Sequence, residues 1–162
     1  DLFSQNTIIP EFHAYRSERL EVYDTASDLV ILDFDEKSVN TASLVSGNQT
    51  LETFPVFSAD GKSVYYCAAP QLPLPDSIRS LRYSLMRIDF DEKSGKFGNK
   101  IDTILSANSL QQSVSFPKIS PNGRYLLFCV SDYGTFPIWH NETDLRMLDL
   151  KIDYYESHKS LT

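Results

Sequence analysis

The chain has 162 residues, of which 41% are hydrophobic, so it is long enough for one domain with a core and lacks the composition of a disordered protein. Its formal net charge of -7 argues against nucleic acid or an anionic membrane surface as a partner, because there is no cationic field to attract phosphates. No apolar run approaches the ~20 residues needed to cross a bilayer, so we expect no membrane insertion.

The first predicted unit covers roughly residues 7–50 and is the least regular of three. It opens on a degenerate motif at 10–12 and later contains an apolar run at 29–32, which favours a strand. The segment Asp33-Phe34-Asp35-Glu36-Lys37-Ser38 follows, and its polar second half predicts a turn. We expect a further strand at 41–45 to complete the unit.

The second predicted unit covers residues 51–107. It begins with the motif Phe54-Pro55-Val56-Phe57-Ser58-Ala59-Asp60-Gly61-Lys62, which leads into an apolar strand at 64–67. The stretch 85–94 then repeats the apolar run and polar turn of the first unit, with an offset of 56 residues between position 33 and position 89. A last strand is predicted at 100–105.

The third predicted unit covers residues 113–162. The Phe-Pro motif recurs at 116–124 with an offset of 62 residues from its first copy, and an apolar strand at 126–129 follows it. A looser copy of the later strand lies at 145–150. The two motifs therefore alternate along the chain, as expected for a tandem repeat.

The repeated turns indicate how each unit folds. Asp60-Gly61 and Asn122-Gly123 lie between short apolar runs, which is typical of tight hairpins because glycine tolerates positive φ. Each unit is therefore predicted to form four antiparallel strands in a meander, and no segment shows the apolar period of a helix. Four strands in about 55 to 62 residues are typical of a β-propeller blade, so we predict an all-β, partial propeller of about three blades.

These motifs resemble the propeller repeat of TolB-like proteins. The family's proline, aromatic, serine and Asp-Gly positions correspond to residues 55–64 and 117–126, and its aliphatic-Asp-aliphatic step to Ile88-Asp89-Phe90 and Leu148-Asp149-Leu150. Ala59 stands where the family has proline, and Asn122 where it has aspartate. The resemblance implies a propeller of six blades in the bacterial periplasm or envelope. It is specific for the repeat rather than for one function, because the same blade type serves translocation proteins, peptidase propellers and sensors.

Three blades are too few for a closed propeller, which typically has four to eight. An open fan would leave strand edges in water, an aggregation liability. We therefore expect either that the chain is a piece of a longer propeller, or that two copies associate as a homodimer to complete six blades.

Two insertions are predicted to join the second and third strands of their units, where long loops often carry function. The insertion at 70–76 is proline-rich and is either a rigid spacer or a groove-binding segment. The insertion at 132–142 has the composition of an interface anchor, and its aromatic residues either face a protein partner or fold back over the blade. The candidate partner-binding residues in it are Tyr133, Phe136, Trp139 and His140.

No pattern in the sequence predicts catalysis, a cofactor or a metal. The serines at 58 and 120 lie in the repeated motif, where we expect each hydroxyl to bond the backbone of its turn. Asp35-Glu36 and Asp91-Glu92 are paired carboxylates, but their recurrence in equivalent turns favours a structural role over acid–base chemistry. There is no Gly-x-Ser-x-Gly elbow and no metal-ligand spacing of histidines.

The leading interpretation is therefore a non-catalytic module that binds a protein partner or acts as a scaffold. The alternative is the propeller portion of a serine peptidase similar to prolyl oligopeptidase, with the catalytic domain outside this chain. Cys67 and Cys129 are 62 residues apart and are predicted to occupy the same position in neighbouring units. Sheets packed face to face lie ~10 Å apart, so we predict two free, buried thiols rather than a disulfide.

Overall fold

The computed structural model describes residues 21–22, 27–35, 38–43, 50–73, 81–132, 136–137 and 143–151. Within these residues the chain is mostly β, as expected from the sequence. The elements are β1 (Glu21–Val22), β2 (Val30–Asp35), β3 (Ser38–Ser43), β4 (Thr50–Phe57), β5 (Ser63–Pro70), β6 (Ser84–Asp91), β7 (Lys96–Leu105), α1 (Ala107–Leu110), β8 (Ser113–Ile119), β9 (Tyr125–Ser131), β10 (Phe136–Pro137) and β11 (Thr143–Asp149).

Strands β4 to β7 form an antiparallel sheet in the order β4-β5-β6-β7, so each strand pairs with the next one along the chain. This is the four-stranded meander predicted for residues 51–107. Strand β7 begins at Lys96 rather than at position 100, because the turn before it is tight: Asp91 accepts the Lys93 N–H at 3.1 Å and Gly95 has a φ of 63°.

Strands β8, β9 and β11 form a second antiparallel sheet of three strands, with β9 in the centre. The predicted fourth strand of this unit, together with residues 152–162, lies outside the described residues. Strand β2 pairs with β3 in a separate two-stranded sheet, from Val30 opposite Ser43 to Asp35 opposite Ser38. The degenerate motif at 10–12 also falls outside the described part of the chain.

The main core lies between the four-stranded and three-stranded sheets. Strand β8 packs against the four-stranded sheet, and buried side chains from both sheets form one apolar cluster. Its members include Leu51, Tyr83, Leu85, Leu126 and Phe128. A second cluster, formed by Val64, Tyr66 and Ile88, lies on the opposite face of the four-stranded sheet and contacts Leu29. The four-stranded sheet is therefore apolar on both faces.

Helix α1 is the one short helical element among the described residues, in a sequence where no segment shows the apolar period of a helix. It is a single turn between β7 and β8, in which Ser106 accepts the Ser109 N–H at 3.4 Å and Ser84 accepts the Ala107 N–H at 3.0 Å. Four residues are too few to show an apolar period of 3.6, so the pattern that normally predicts a helix was absent.

The two cysteines are free, as predicted, but they are not equally buried. Cys67 is fully buried, and burial raises the pKa of its thiol. Cys129 is only half-buried, so the prediction of two buried thiols was wrong at that position. The reason is that its side of the three-stranded sheet faces solvent, as the following section describes.

Candidate functional site

Most of the predicted partner-binding residues fall outside the described residues. Tyr133, Trp139 and His140 lie outside the described residues, and Phe136 is placed only by its backbone in β10, opposite Val22 of β1. Their role in binding a partner remains a prediction. The candidate surfaces that the structure does describe lie on the two larger sheets.

The four-stranded and three-stranded sheets share one hairpin geometry. In the first hairpin the Ser58 hydroxyl donates to Asp60 at 2.7 Å and accepts the Ser63 N–H at 3.0 Å. In the second, the Ser120 hydroxyl donates to Asn122 at 2.7 Å and accepts the Tyr125 N–H at 2.9 Å. Both serines therefore act as turn residues, which confirms the structural role predicted for them.

The same hairpins hold the strand that follows. Phe90 donates its N–H to the Lys62 carbonyl at 2.8 Å, and Leu150 donates to the Arg124 carbonyl at 2.8 Å. Gly61 and Gly123 have φ angles of 70° and 69°, which explains the glycine at both positions. The strand pairing is also equivalent in the two sheets: Cys67 lies opposite Leu85, and Cys129 lies opposite Leu145.

The segment just before strand β2 makes the same backbone contact with the next sheet as the segment before β6 does. Glu52 donates its backbone N–H to the Ser27 carbonyl at 2.8 Å, and Val114 donates to the Tyr83 carbonyl at 2.9 Å. These two bonds join the start of one sheet to the later half of the preceding unit in the same way. Leu29, two residues after Ser27, is therefore the counterpart of Leu85, two residues after Tyr83. Leu145 is the third member of the series by its register.

The three leucines differ in what covers them. Leu29 packs against the second apolar cluster of the four-stranded sheet, and Leu85 is 0% exposed in the main core. Leu145 is 69% exposed, and Met147, two residues further along β11, is 59% exposed. We call the side of the three-stranded sheet that bears Leu127, Cys129, Leu145 and Met147 the outer face.

Glu52 is a buried carboxylate at the junction with the segment before β2. It is 3% exposed and accepts the Leu29 N–H at 3.3 Å. Burial raises the pKa of the nearby Tyr66 hydroxyl, and the negative charge of Glu52 adds to this shift. Val114 occupies the equivalent position at the other junction, so the charge is not needed for the backbone contact that the two junctions share. The bond from the Leu29 N–H to the Glu52 carboxylate indicates that Glu52 positions the segment before β2.

Phe54 and Phe116 form an aromatic pair at equivalent bulges of the first strands. Their ring centroids are 4.3 Å apart and their φ angles are 54° and 51°. A positive φ costs roughly 1–2 kcal/mol for a residue with a side chain. Because the bulge recurs in both sheets and the two rings contact each other, we attribute the positive φ of both residues to the packing between the sheets. Phe116 is 54% exposed and adds to the apolar surface.

A polar cleft of about 330 Å³ lies between the two hairpins, lined by residues that include Ser58, Asp60, Arg87, Asn122 and Lys151. Arg87 donates to Ser63 Oγ at 2.7 Å, to Asp89 at 2.5 Å and to Asp102 at 3.2 Å. Two carboxylates thus compensate its charge. The guanidinium is held by the sheet's own residues, and the cleft is suited to water or a small polar group.

Among the described residues, the outer face has no such polar cluster. Met147 occupies the position of Arg87, and Asp149 instead binds Arg124, with the Nε–Oδ2 distance at 2.8 Å. The guanidinium of Arg124 lowers the pKa of Asp149 by hydrogen bonding and charge. The pair lies near the hairpin end of the sheet and leaves the centre of the outer face apolar.

Two features are absent from the described ranges. Among those residues, no three or more histidine, cysteine, aspartate or glutamate side chains come together as they would around a metal ion. No helix within them is both long enough and apolar enough for a membrane span. Compared with known proteins, the chain matches no protein-family model, no curated protein and no solved structure.

Proposed function

We propose that this chain is a segment of a TolB-like β-propeller and that it acts as a protein-binding or scaffold module rather than as a catalyst. The observation that carries the proposal is the repeated frame, in which successive sheets share a bulge, a serine-bonded hairpin and a face packed against the next sheet. Radial repetition of such sheets is the architecture of propellers.

The outer face supports binding rather than catalysis. Leu145 and Met147 are more than half exposed and adjoin the half-buried Leu127 and Cys129. Contiguous apolar surface of this kind is typical of sites that contact other proteins. The position of these residues in a regular sheet gives a partner a preformed surface, so little conformational entropy is lost on binding.

The polar groups that resemble catalytic residues have structural partners. The hydroxyls of Ser58 and Ser120 bond their own turns, and Asp91 accepts the Ser94 hydroxyl at 2.7 Å in the turn before β7. These contacts support the structural interpretation of the repeated turns. The location in the periplasm or envelope that we propose rests on the resemblance to TolB-like proteins alone.

Site-specific crosslinking tests the proposal. A photo-crosslinking residue would replace Leu145 on the outer face in one variant and Glu92 in an exposed turn in the matched control, with both chains exported to a bacterial periplasm. We expect position 145 to crosslink to a separate polypeptide, identified by mass spectrometry, and position 92 not to do so. Equal crosslinking at both positions, or none at position 145, would contradict binding through this face.

A further inference from the structure

We propose that Asn122 is a site of spontaneous deamidation and that the hairpin between β8 and β9 controls how fast it reacts. The inference is independent of the proposed function, because it concerns the chemistry of a single turn. Asn122 is the only asparagine in the sequence that is followed by glycine. The equivalent turn of the other sheet carries Asp60 and Gly61 instead of Asn122 and Gly123.

The reaction needs only these two residues and water. The backbone nitrogen of Gly123 attacks the side-chain carbonyl carbon of Asn122, the bond from that carbon to the amide nitrogen breaks, and a succinimide ring forms. Ammonia leaves and takes up, through solvent, the proton that the Gly123 nitrogen loses. Water then opens the ring at either of its carbonyls, which gives aspartate or isoaspartate at position 122. Glycine favours ring closure because it has no Cβ to obstruct the approach of its nitrogen.

In the closed hairpin both reacting groups are held by hydrogen bonds. The Gly123 N–H donates to the Ser120 carbonyl at 2.8 Å, so the proton that must leave is already bound. The side-chain oxygen of Asn122 accepts the Ser120 hydroxyl at 2.7 Å and the Arg124 N–H at 3.1 Å, which fixes the orientation of the amide. Attack therefore requires the hairpin to open, and local opening of this kind does not require the whole chain to unfold.

The tip of the hairpin is the part of this sheet that opens most easily. Asn122 is exposed and Gly123 is half-buried, and strand pairing begins only at Ile119 opposite Leu126. Turns with exposed backbone open at a lower free energy than strands in the interior of a sheet. Water reaches the turn from solvent and ammonia leaves into it, so the reaction needs no opening of the core.

The two products change the hairpin in opposite ways. Aspartate keeps the acceptor oxygen, and it adds a carboxylate to the polar cleft that Asp60 and Asn122 both line. Isoaspartate adds a methylene group to the backbone path between residues 122 and 123. The turn then cannot keep both the bond from Gly123 to Ser120 and the register of β8 with β9, so we expect this product to destabilise the three-stranded sheet.

Mass spectrometry of the full chain after prolonged incubation in heavy-oxygen water tests this inference. Each deamidation takes up one solvent oxygen, so the label separates reaction of the folded chain from reaction during later digestion in ordinary water. We expect label in the tryptic peptide 119–124 and none at Asn99, an exposed asparagine followed by lysine. Absence of label at Asn122 in the folded chain, over a time that labels the urea-denatured chain fully, would overturn the inference.

Variants of the hairpin serines test control of the rate. Ser120→Ala removes a bond to Asn122 and should accelerate labelling by roughly 2- to 10-fold, the rise in the open population that loss of one hydrogen bond gives. Ser120→Thr keeps the hydroxyl and should react like the unmodified chain. Ser58→Ala, the matched change in the other hairpin, should also leave the rate unchanged, because Ser58 bonds Asp60 and Ser63. Equal acceleration by the two alanine variants, or none by either, would overturn control by the hairpin.

Discussion

The four-stranded and three-stranded sheets are built on one frame but differ in how many of their faces are covered. In β5, the central strand of the first sheet, consecutive residues from Ser63 to Cys67 are all buried. In β9, the central strand of the second, burial alternates along Tyr125–Phe128. A strand with apolar partners on both sides can be hydrophobic throughout, whereas a strand with one open side keeps the alternation of a half-exposed sheet.

The comparison also shows that the same residue type at equivalent positions can differ in burial. Leu85 and Leu145 are the same residue at the same register, yet one is 0% and the other 69% exposed. The difference arises from the neighbouring sheet. Substitutions at matched positions in the two sheets therefore separate two contributions to stability: that of the shared strand and hairpin geometry, and that of packing against a neighbouring sheet.

The largest expected effect comes from truncating these two leucines. Leu85→Ala should lower the free energy of unfolding by about 2–5 kcal/mol, because it leaves a cavity in the main core. Leu145→Ala should change it by about 0.5 kcal/mol or less. Urea denaturation of both variants measures the difference. Equal losses would mean that Leu145 is covered within the single chain.

The hairpin glycines should give the next largest effect. Ala at either position is strained, at a cost of roughly 1–2 kcal/mol, because both glycines have positive φ. A Cβ at Gly123 would also lie 3.2 Å from the Cβ of Ala59, whereas a Cβ at Gly61 would meet nothing within 4 Å.

We therefore expect Gly123→Ala to destabilise the chain more than Gly61→Ala in thermal melts. The additional substitution Ala59→Gly removes the close contact and should bring the two losses together. If Gly123→Ala remains equally costly in that background, the crowding at Ala59 is not its cause.

Removing the hairpin hydroxyls should have a smaller effect. Ser120→Ala should cost about 1 kcal/mol and Ser58→Ala somewhat more, because Ser58 bonds the N–H of Ser63, which is 4% exposed. Ser120→Thr and Ser58→Thr keep the hydroxyl and serve as controls. Chemical denaturation that finds threonine as costly as alanine would argue against the hydroxyl as the stabilising group.

The smallest expected effect is a difference in acid sensitivity between the hairpins. The Ser58 hydroxyl and the Lys62 N–H hold the pKa of Asp60 below its ordinary value of 3.8. A carboxylate whose pKa is lowered by folding contributes its full stabilisation above the ordinary pKa. That contribution is lost as the pH falls through the lowered pKa. Asn122, at the equivalent position, does not titrate.

Asp60→Asn should therefore melt at nearly the temperature of the unmodified chain at neutral pH and lose less stability below pH 3.8. Asn122→Asp should show the opposite change and become more acid-sensitive. Melting curves recorded from neutral pH down to about pH 2 compare the three chains. Parallel curves would show that this carboxylate contributes nothing measurable.

Much of the frame was predictable because it depends on local chemistry. The Asp-Gly and Asn-Gly pairs placed both hairpins, and the repeat offset aligned Cys67 with Cys129. What the sequence did not reveal depends on contacts between sheets. The positive φ of Phe54 has no local sequence signal, because it arises at a bulge that packs against Phe116.

The candidate surface was only partly accessible to sequence reasoning. Alignment of the repeats already paired Leu145 with Leu85, but whether a sheet covers that position depends on the rest of the assembly. The aromatic loop residues from Tyr133 to His140 were chosen on composition, and they lie outside what the structure describes apart from the backbone of β10. The outer face was missed because apolar residues in a strand are usually assigned to a core.

Pairing between strands that succeed one another in the chain has a consequence for folding. Every pair in the four-stranded sheet joins neighbours in sequence, so this sheet can nucleate from local contacts with a low loop-closure cost. Stability in such arrays depends on contacts between nearest neighbours, as in a one-dimensional chain of coupled units. On this basis we expect the four-stranded sheet, which contacts a neighbour on each face, to open after the two-stranded and three-stranded sheets.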